Sequence, residues 1–501
     1  MPKNQFASPV LAIGLDAFDQ AELRRRLDDG MLPNLAKLAE LGPVSTLGPD
    51  TAGLGGMAWL SFVNGVTTPE HGWYFTKVWS PETGRVENAN GSFLRHHPFW
   101  QPLLDSGVRL ALLDVPYAPD PGPDFDGAYL NGWQTHDEEV LRTHPPDLLN
   151  ELESRFGAPK LRPEQYGPQR PQDLLDLRQQ AIDSVRQITE ISEWVLKRDR
   201  FDLCVVVIGA AHRAGHYLWN LAQIDRNELT AAEVTTLEQA MDDIYLAVDE
   251  AVGRIVAVAP DYQVMAFAVH GMRANPGWND VFPDILKALD APEQDQPSSK
   301  GLRDYLHAFR RSPMALKVTR NLPAGVNRLI SRTWAAKMHD WSKTRLFTLP
   351  GEVVGIVRFN VEGREPQGIV PAADALGAAE ELAGKLREVR DLETGTPIAE
   401  TVHVTDQLVG TEAPFRRFLP DILVEWGTPQ LIESTGVQLP GGKSLRWERG
   451  RRVTSGRSGD HRQDGWLMGE IAVASRTNTP PTTVDLAHTL LDRFQSAKAA
   501  E

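Results

Sequence analysis

Cysteine is nearly absent from this chain, with Cys204 the single example in 501 residues. One thiol excludes an internal disulfide and any zinc site built on cysteines, and its place inside the apolar run Leu203 to Ile208 reads as a buried, inert side chain. Long hydrophobic stretches are missing too. No window is apolar for long enough to span a bilayer, and the polar start, Met1 to Ser8, lacks the apolar segment of a secretory signal, so the expected location is cytoplasmic with no membrane partner. Positive charge is in deficit, 52 Lys and Arg against 67 Asp and Glu, for a formal charge of −15. That balance disfavours a nucleic-acid duplex as partner, because affinity for a phosphate backbone comes from clustered cations that release counterions. An anionic substrate would have to be met by a local cation, either a metal ion or a few arginines acting at short range. Internal repeats and low-complexity tracts are lacking, and nothing in the sequence fixes an oligomeric state.

What is present is an ordinary folded composition, 41% hydrophobic and 24% charged, in a chain too long for one simple domain. Short apolar runs alternate with helical stretches, the order expected of an α/β protein with a largely parallel sheet. The runs Val10 to Leu15, Leu110 to Val115, Leu203 to Ile208, Val264 to Val269, Val353 to Phe359 and Ile422 to Trp426 read as buried strands of that sheet. Pro171 to Lys197 and Glu228 to Val258 repeat apolar residues at three- and four-residue spacing, as amphipathic helices do. From Asp284 to Lys343 the strand-like runs stop and Arg303, Arg310, Arg311, Lys317, Arg320 and Arg328 recur, which suggests an inserted helical cap. The expected division is a core over residues 1–283 and 344–501, with the insertion at 284–343.

Four places carry the chemistry. Asp16 ends the first apolar run, at the edge where open α/β sheets assemble their sites, although a carboxylate there also suits a helix cap. His212 and His216 follow the run Leu203 to Ile208, and a helix at that point would set both imidazoles on one face, able to grip one metal ion. His270 follows the run Val264 to Val269, with Gly271 permitting a tight turn. His461 lies in Gly459-Asp460-His461-Arg462, inside a loop rich in Gly, Ser and Arg. Together they offer neutral imidazoles and a carboxylate, a ligand set suited to zinc or a related transition ion.

Taken in order, the motifs resemble the alkaline phosphatase superfamily, in particular its type I phosphodiesterase and nucleotide pyrophosphatase branch and the predicted phosphohydrolases and phosphomutases near it. The resemblance rests on Asp16 after its strand, Leu32-Pro33-Asn34-Leu35, Ala58-Trp59-Leu60-Ser61-Phe62 with Asn64-Gly65, and Pro69-Glu70-His71-Gly72. It continues through His212 to His216, His270-Gly271-Met272, Asp340-Trp341-Ser342-Lys343-Thr344, Gly363-Arg364-Glu365-Pro366, Leu419-Pro420-Asp421 and Gly459 to Arg462. It implies an alkaline phosphatase-like sandwich, a mostly parallel central sheet flanked by helices, carrying the helical insertion. It also implies one or two zinc ions, with manganese as a substitute, that clamp a phosphoryl group beside a Thr or Ser nucleophile. Asp16 and His270 would then belong to one metal site, and His212, His216 and His461 to the other.

Two departures bear on that expectation. The branch usually has Asp where Val269 and His212 stand, and losing a carboxylate at 269 weakens the site of Asp16 and His270. A single metal held by three histidines is then open, with a metal-bound water as nucleophile. Ungapped matching from Asn64-Gly65 also places the nucleophile at Gly55, which has no hydroxyl. Thr51 upstream is the preferred substitute, Ser61 downstream fits packing within a helix, and the run Gly53 to Gly56 offers backbone N–H groups to an anion. Arg273 and Asn275 are candidates to bind a phosphoryl oxygen. The expected activity is hydrolysis of a small anionic phosphate ester, a diester before a monoester; phosphoryl transfer, or a binding protein that kept the fold, are the alternatives. Sulfatase chemistry is disfavoured because the only cysteine lies in a buried strand.

Overall fold

The computed structural model describes residues 8–88, 96–134, 140–162, 164, 167–224, 229–290, 340–351, 354–476 and 480–499. Its centre is an eight-stranded sheet. From one edge to the other the strands are Ser45–Leu47, Gly465–Gly469, Gln263–Ala268, Val10–Leu15, Leu203–Ile208, Leu110–Leu113, Gly127–Asn131 and Arg142–His144. The five from Gln263–Ala268 to Gly127–Asn131 run parallel, and the three outer ones pair antiparallel.

Alternation along the strands explains the layers. Every residue of Val10–Leu15 and Leu203–Ile208 is buried. Val10 and Ala12, with Leu203, Val205 and Val207, face one core, while Leu11, Ile13 and Leu15, with Cys204, Val206 and Ile208, face the other. A strand covered on both faces therefore reads as an unbroken apolar run. Each such Val, Leu or Ile contributes about 1.5–3 kcal/mol relative to remaining in water. Cys204 is a free buried thiol in that layer, and burial pushes its pKa up, which makes it inert.

Helices Pro171–Arg198 and Ala240–Ala257 cover the second core, and Ala58–Asn64 and Thr483–Ala499 cover the first. The expected 171–197 helix is a single element, opened by a proline in its first turn. The stretch expected as one helix over 228–258 is instead two, Ala231–Glu238 and Ala240–Ala257, parted at Gln239. Among the described residues no helix is long and apolar enough to cross a membrane.

Two strands expected in the parallel sheet lie elsewhere. Val354–Phe359 and Ile422–Trp426 are the middle strands of a separate four-stranded antiparallel sheet, with Leu346–Leu349 and Ala399–Val404 at its edges. Their apolar runs have the same look because this sheet too is covered on both faces. Leu349, Val354, Ile356 and Leu423 join the first core, while Val357, Phe359, Ile422 and Val424 form a third with the helix Phe282–Asp290. That helix buries Phe282, Ile285, Leu286 and Leu289 on one stripe. Most of the stretch expected as an insertion, 291–339 with its arginines and Lys317, lies outside the described residues.

Candidate metal centre

The site grows from the C-terminal rim of the parallel strands. Asp16 is fully buried and follows Leu15; its backbone N–H still bonds Ile208 O at 3.1 Å, so the strand pairing holds it in place. The chain then turns away through Ala17, whose φ of 53° is left-handed, a conformation that costs a non-glycine residue about 1–3 kcal/mol. Gly14 has its own reason to lack a side chain, since a Cβ there would lie 2.7 Å from the Trp59 ring. The space left lets Trp59 reach across the strand end and donate its indole N–H to Asp16 Oδ1 at 2.7 Å.

His212 and His216 stand one turn apart on the helix Ala210–Leu218, which begins just beyond Leu203–Ile208. Each has its Nδ1 tied to an oxygen. His212 Nδ1 lies 2.9 Å from Asp16 Oδ2, and His216 Nδ1 lies 3.1 Å from Gly459 O. His461 arrives on the strand Gly459–Arg462, paired antiparallel with Gly271–Ala274 and set opposite Met272. Close packing brings the elements together: a Cβ at Gly459 would stand 2.2 Å from Gly215 O, and one at Gly215 would stand 3.0 Å from Met272.

The rings of His212, His216 and His461 form a triangle with centroids 4.8 Å apart on every side. His212 Nε2 lies 3.0 Å from His216 Nε2 and 2.9 Å from His461 Nε2. An Nδ1 bonded to a carboxylate or carbonyl oxygen carries the proton, which leaves the Nε2 of His212 and His216 as lone pairs pointing at each other. Facing lone pairs repel, and a cation between them reverses the sign. Nitrogens about 2.0–2.1 Å from a tetrahedral zinc are roughly 3.3 Å apart, so these need only a few tenths of an ångström of opening. The donor set of three imidazoles suits zinc better than magnesium or calcium.

Electrostatics favour the neutral rings a metal needs. Burial, then the charge of Arg457 and the neighbouring His212 and His461, hold the pKa of His216 well below 6.5. His461 is lowered likewise by burial, His270 and His212, against the opposing pull of Asp16. For Asp16 burial alone would raise the pKa, but His212 and His270 together prevail and keep the carboxyl well below 3.8. Arg457 is buried near these rings and anchored by Glu164, which it meets through Nε at 3.1 Å.

The other expected residues fall as follows. His270 Nε2 lies 3.3 Å from Asp16 Oδ1, and its ring stacks on His461 at 4.3 Å, so Asp16 bridges His212 and His270 rather than standing apart with one of them. Val269 is wholly buried in the first core. Arg273 donates Nη1 to Trp426 O at 3.1 Å, and Asn275 uses both ends of its amide on backbone, at Arg457 O and Gly277 N. Thr51 opens the turn before the glycine run, its carbonyl accepting Leu54 N–H. Ser61 is buried, donating to Asp50 at 2.8 Å and lying 3.0 Å from His71 Nε2. Trp59 and Gly459 are the partners sequence reasoning passed over; an aromatic beside a glycine-rich turn reads as packing, and a backbone carbonyl has no signature.

The sheet order and the gathering of imidazoles and a carboxylate at its rim define an α/β protein of the alkaline phosphatase-like fold. The model of the type I phosphodiesterase / nucleotide pyrophosphatase family matches residues 10–429, and the chain belongs to that family, within the alkaline phosphatase superfamily. Its class of activity is accordingly phosphoester hydrolysis. Among solved structures it is similar to phosphonoacetate hydrolase from Sinorhizobium meliloti 1021, in complex with phosphonoformate, at 13% identity and TM-score 0.53, covering 99% of this chain and 96% of that one. Murine ectonucleotide pyrophosphatase/phosphodiesterase 5, in complex with AMP, is similar at 12% identity and TM-score 0.41, covering 97% and 95%. A comparison with curated proteins finds no significant match.

Proposed function

We propose that this protein is a metal-dependent phosphodiesterase that hydrolyses a small anionic ester with one zinc ion held by His212, His216 and His461. One observation carries the reading: two Nε2 lone pairs, each fixed by an oxygen at its Nδ1, converge 3.0 Å apart beside a third imidazole. When bound, the ion supplies positive charge to phosphoryl oxygens, which the chain's net charge of −15 otherwise repels. Asp16 fixes the tautomer of His212 and is itself steadied by Trp59, while His270 stands beside it as a ligand for a second ion or as its hydrogen-bond partner. Arg273, with Nη1 on Trp426 O, keeps other donors for an ester oxygen, and Asn275 serves through the turn it builds. Attack on phosphorus comes from the Thr51 hydroxyl or from water. Ser61 is already committed to Asp50, and position 55 has no side chain.

The test is elemental analysis of protein purified without chelators, with assays on aryl phosphate monoesters and diesters. The expected result is at least one equivalent of zinc and diesterase activity, both lost in His212→Ala and His216→Ala. Unchanged metal content in those variants would sink the assignment. Val269 and Gly55, which lack the groups the family usually carries there, favour a second reading as a binding protein. Full metal occupancy without hydrolysis of any ester would support it.

A further inference from the structure

Against the glycine run lies a second polar centre that the metal reading leaves unused. His403, on Ala399–Val404, and Glu425, on Ile422–Trp426, pair through His403 Nε2 and Glu425 Oε1 at 2.9 Å. The same carboxylate oxygen accepts Gln463 Nε2 at 3.2 Å, and Gln463 Oε1 in turn accepts the backbone N–H of Gly53 at 2.9 Å. Gln463 sits two residues beyond His461, so it ties the ligand-bearing segment, the glycine run and the antiparallel sheet to one another. The run presses directly on the imidazole: Gly53 has φ of +73°, and a Cβ there would stand 2.9 Å from His403 Cδ2. Gly53 also lines a mainly apolar recess, with Gly56, Tyr74, Ile356, Leu423 and Gln463.

This pair is not needed to join its strands, which are already laced from Ala399 opposite Trp426 to Val404 opposite Ile422. Its side chains also stay partly open, 16% for His403 and 26% for Glu425. An imidazole with one nitrogen oriented by a carboxylate, and Nδ1 without a hydrogen bond among the described residues, is arranged for proton transfer.

We propose that His403 is the general acid of the ester site, with Glu425 and Gln463 as positioning residues, and that the substrate class is an alkyl phosphodiester. The proposal rests on the phosphodiesterase reading above. As the bond from phosphorus to the leaving oxygen breaks, its electron pair goes to that oxygen, which takes the proton from His403 Nδ1. A new bond forms from phosphorus to the attacking oxygen, that oxygen's proton passes to solvent, and His403 regains one. An alkoxide needs such a proton, whereas a nitrophenolate leaves without help, so the pair has value for alkyl esters only.

Zinc-loaded full-length protein, His403→Gln and Glu425→Gln are compared on a glycerophosphodiester and on bis-p-nitrophenyl phosphate, each variant against the parent on the same substrate. In His403→Gln, kcat/KM for the alkyl ester falls about 10²-fold, the range of a lost general acid. The fall on the aryl ester is at least tenfold smaller. Glu425→Gln shows the same bias in weaker form and covers the case in which the histidine variant does not fold. Equal losses on both esters, or no loss on the alkyl ester, overturn the proposal. A parent that hydrolyses neither ester overturns the phosphodiesterase reading instead.

Discussion

A histidine can ligate a metal only through a ring nitrogen that is denied a proton, and here two oxygens are placed to impose that denial. Gly459 O does it for His216, and Asp16 does it for His212, supported from behind by the Trp59 indole. Removing the indole N–H leaves a buried carboxylate oxygen with one donor fewer, a loss worth about 1–3 kcal/mol. Trp59→Phe keeps much of the packing against Phe62 and Phe267, so the expected outcome is a fold destabilised by about that amount with zinc affinity lowered roughly 10- to 100-fold. Urea unfolding and competition with a chromogenic chelator measure the two effects separately; an unchanged affinity would remove Trp59 from the support of the site. None of this was legible from position 59 alone. Asp16, His212 and His270 were readable because each closely follows a buried run, whereas the partner of Asp16 is a helix residue 43 positions away.

Elements that meet late in the chain were the harder part to read. The parallel strands declared themselves through continuous burial, yet the runs at Val354–Phe359 and Ile422–Trp426 carry the same pattern and belong to an antiparallel sheet. Pattern reports how many faces are covered and is silent on which neighbour covers them. The joining of His216 to His461 is of this second kind: it depends on Gly459 sliding over Gly215, two glycines that look like ordinary loop and helix residues in the sequence. Gly459→Ala would place a methyl 2.2 Å from Gly215 O, so the strand must retreat from the helix. We expect a loss of about 1–3 kcal/mol from overpacking and loss of stoichiometric zinc, because the carbonyl that orients His216 moves with it. Gly377→Ala is the matching control. Position 377 lies in the helix Ala375–Glu388 with nothing within 4 Å of a new Cβ, and it should gain about 1 kcal/mol and keep its zinc. Metal analysis and thermal unfolding of both variants check the pair; zinc retained in Gly459→Ala would show that the strand's approach is not what builds the site.

At the scale of the whole molecule, the packed imidazoles cost stability at low pH. Burial and mutual repulsion hold His216 and His461 well below 6.5, so the unfolded chain binds protons that the folded chain refuses. Stability of the metal-free protein therefore rises with pH through the interval between the folded and unfolded values, and falls as pH drops below about 6.5. Asp16 acts in the same direction at lower pH, since its depressed folded value adds stability above the ordinary carboxylate range that is lost as the carboxyl is protonated. The melting temperature of the chelated protein is thus expected to decline from pH 7 to pH 5, and to decline less in His216→Gln. The proposed zinc would bind only the folded arrangement and needs unprotonated rings, which the lowered values of His216 and His461 favour. A hundredfold excess over its dissociation constant adds about 2.7 kcal/mol, whereas magnesium, which prefers oxygen ligands, adds little. Scanning calorimetry with chelator, zinc and magnesium at both pH values measures all of these changes in one series. A melting temperature indifferent to zinc would mean that the three imidazoles meet without a metal to hold, and that the facing lone pairs are relieved by a shared proton instead.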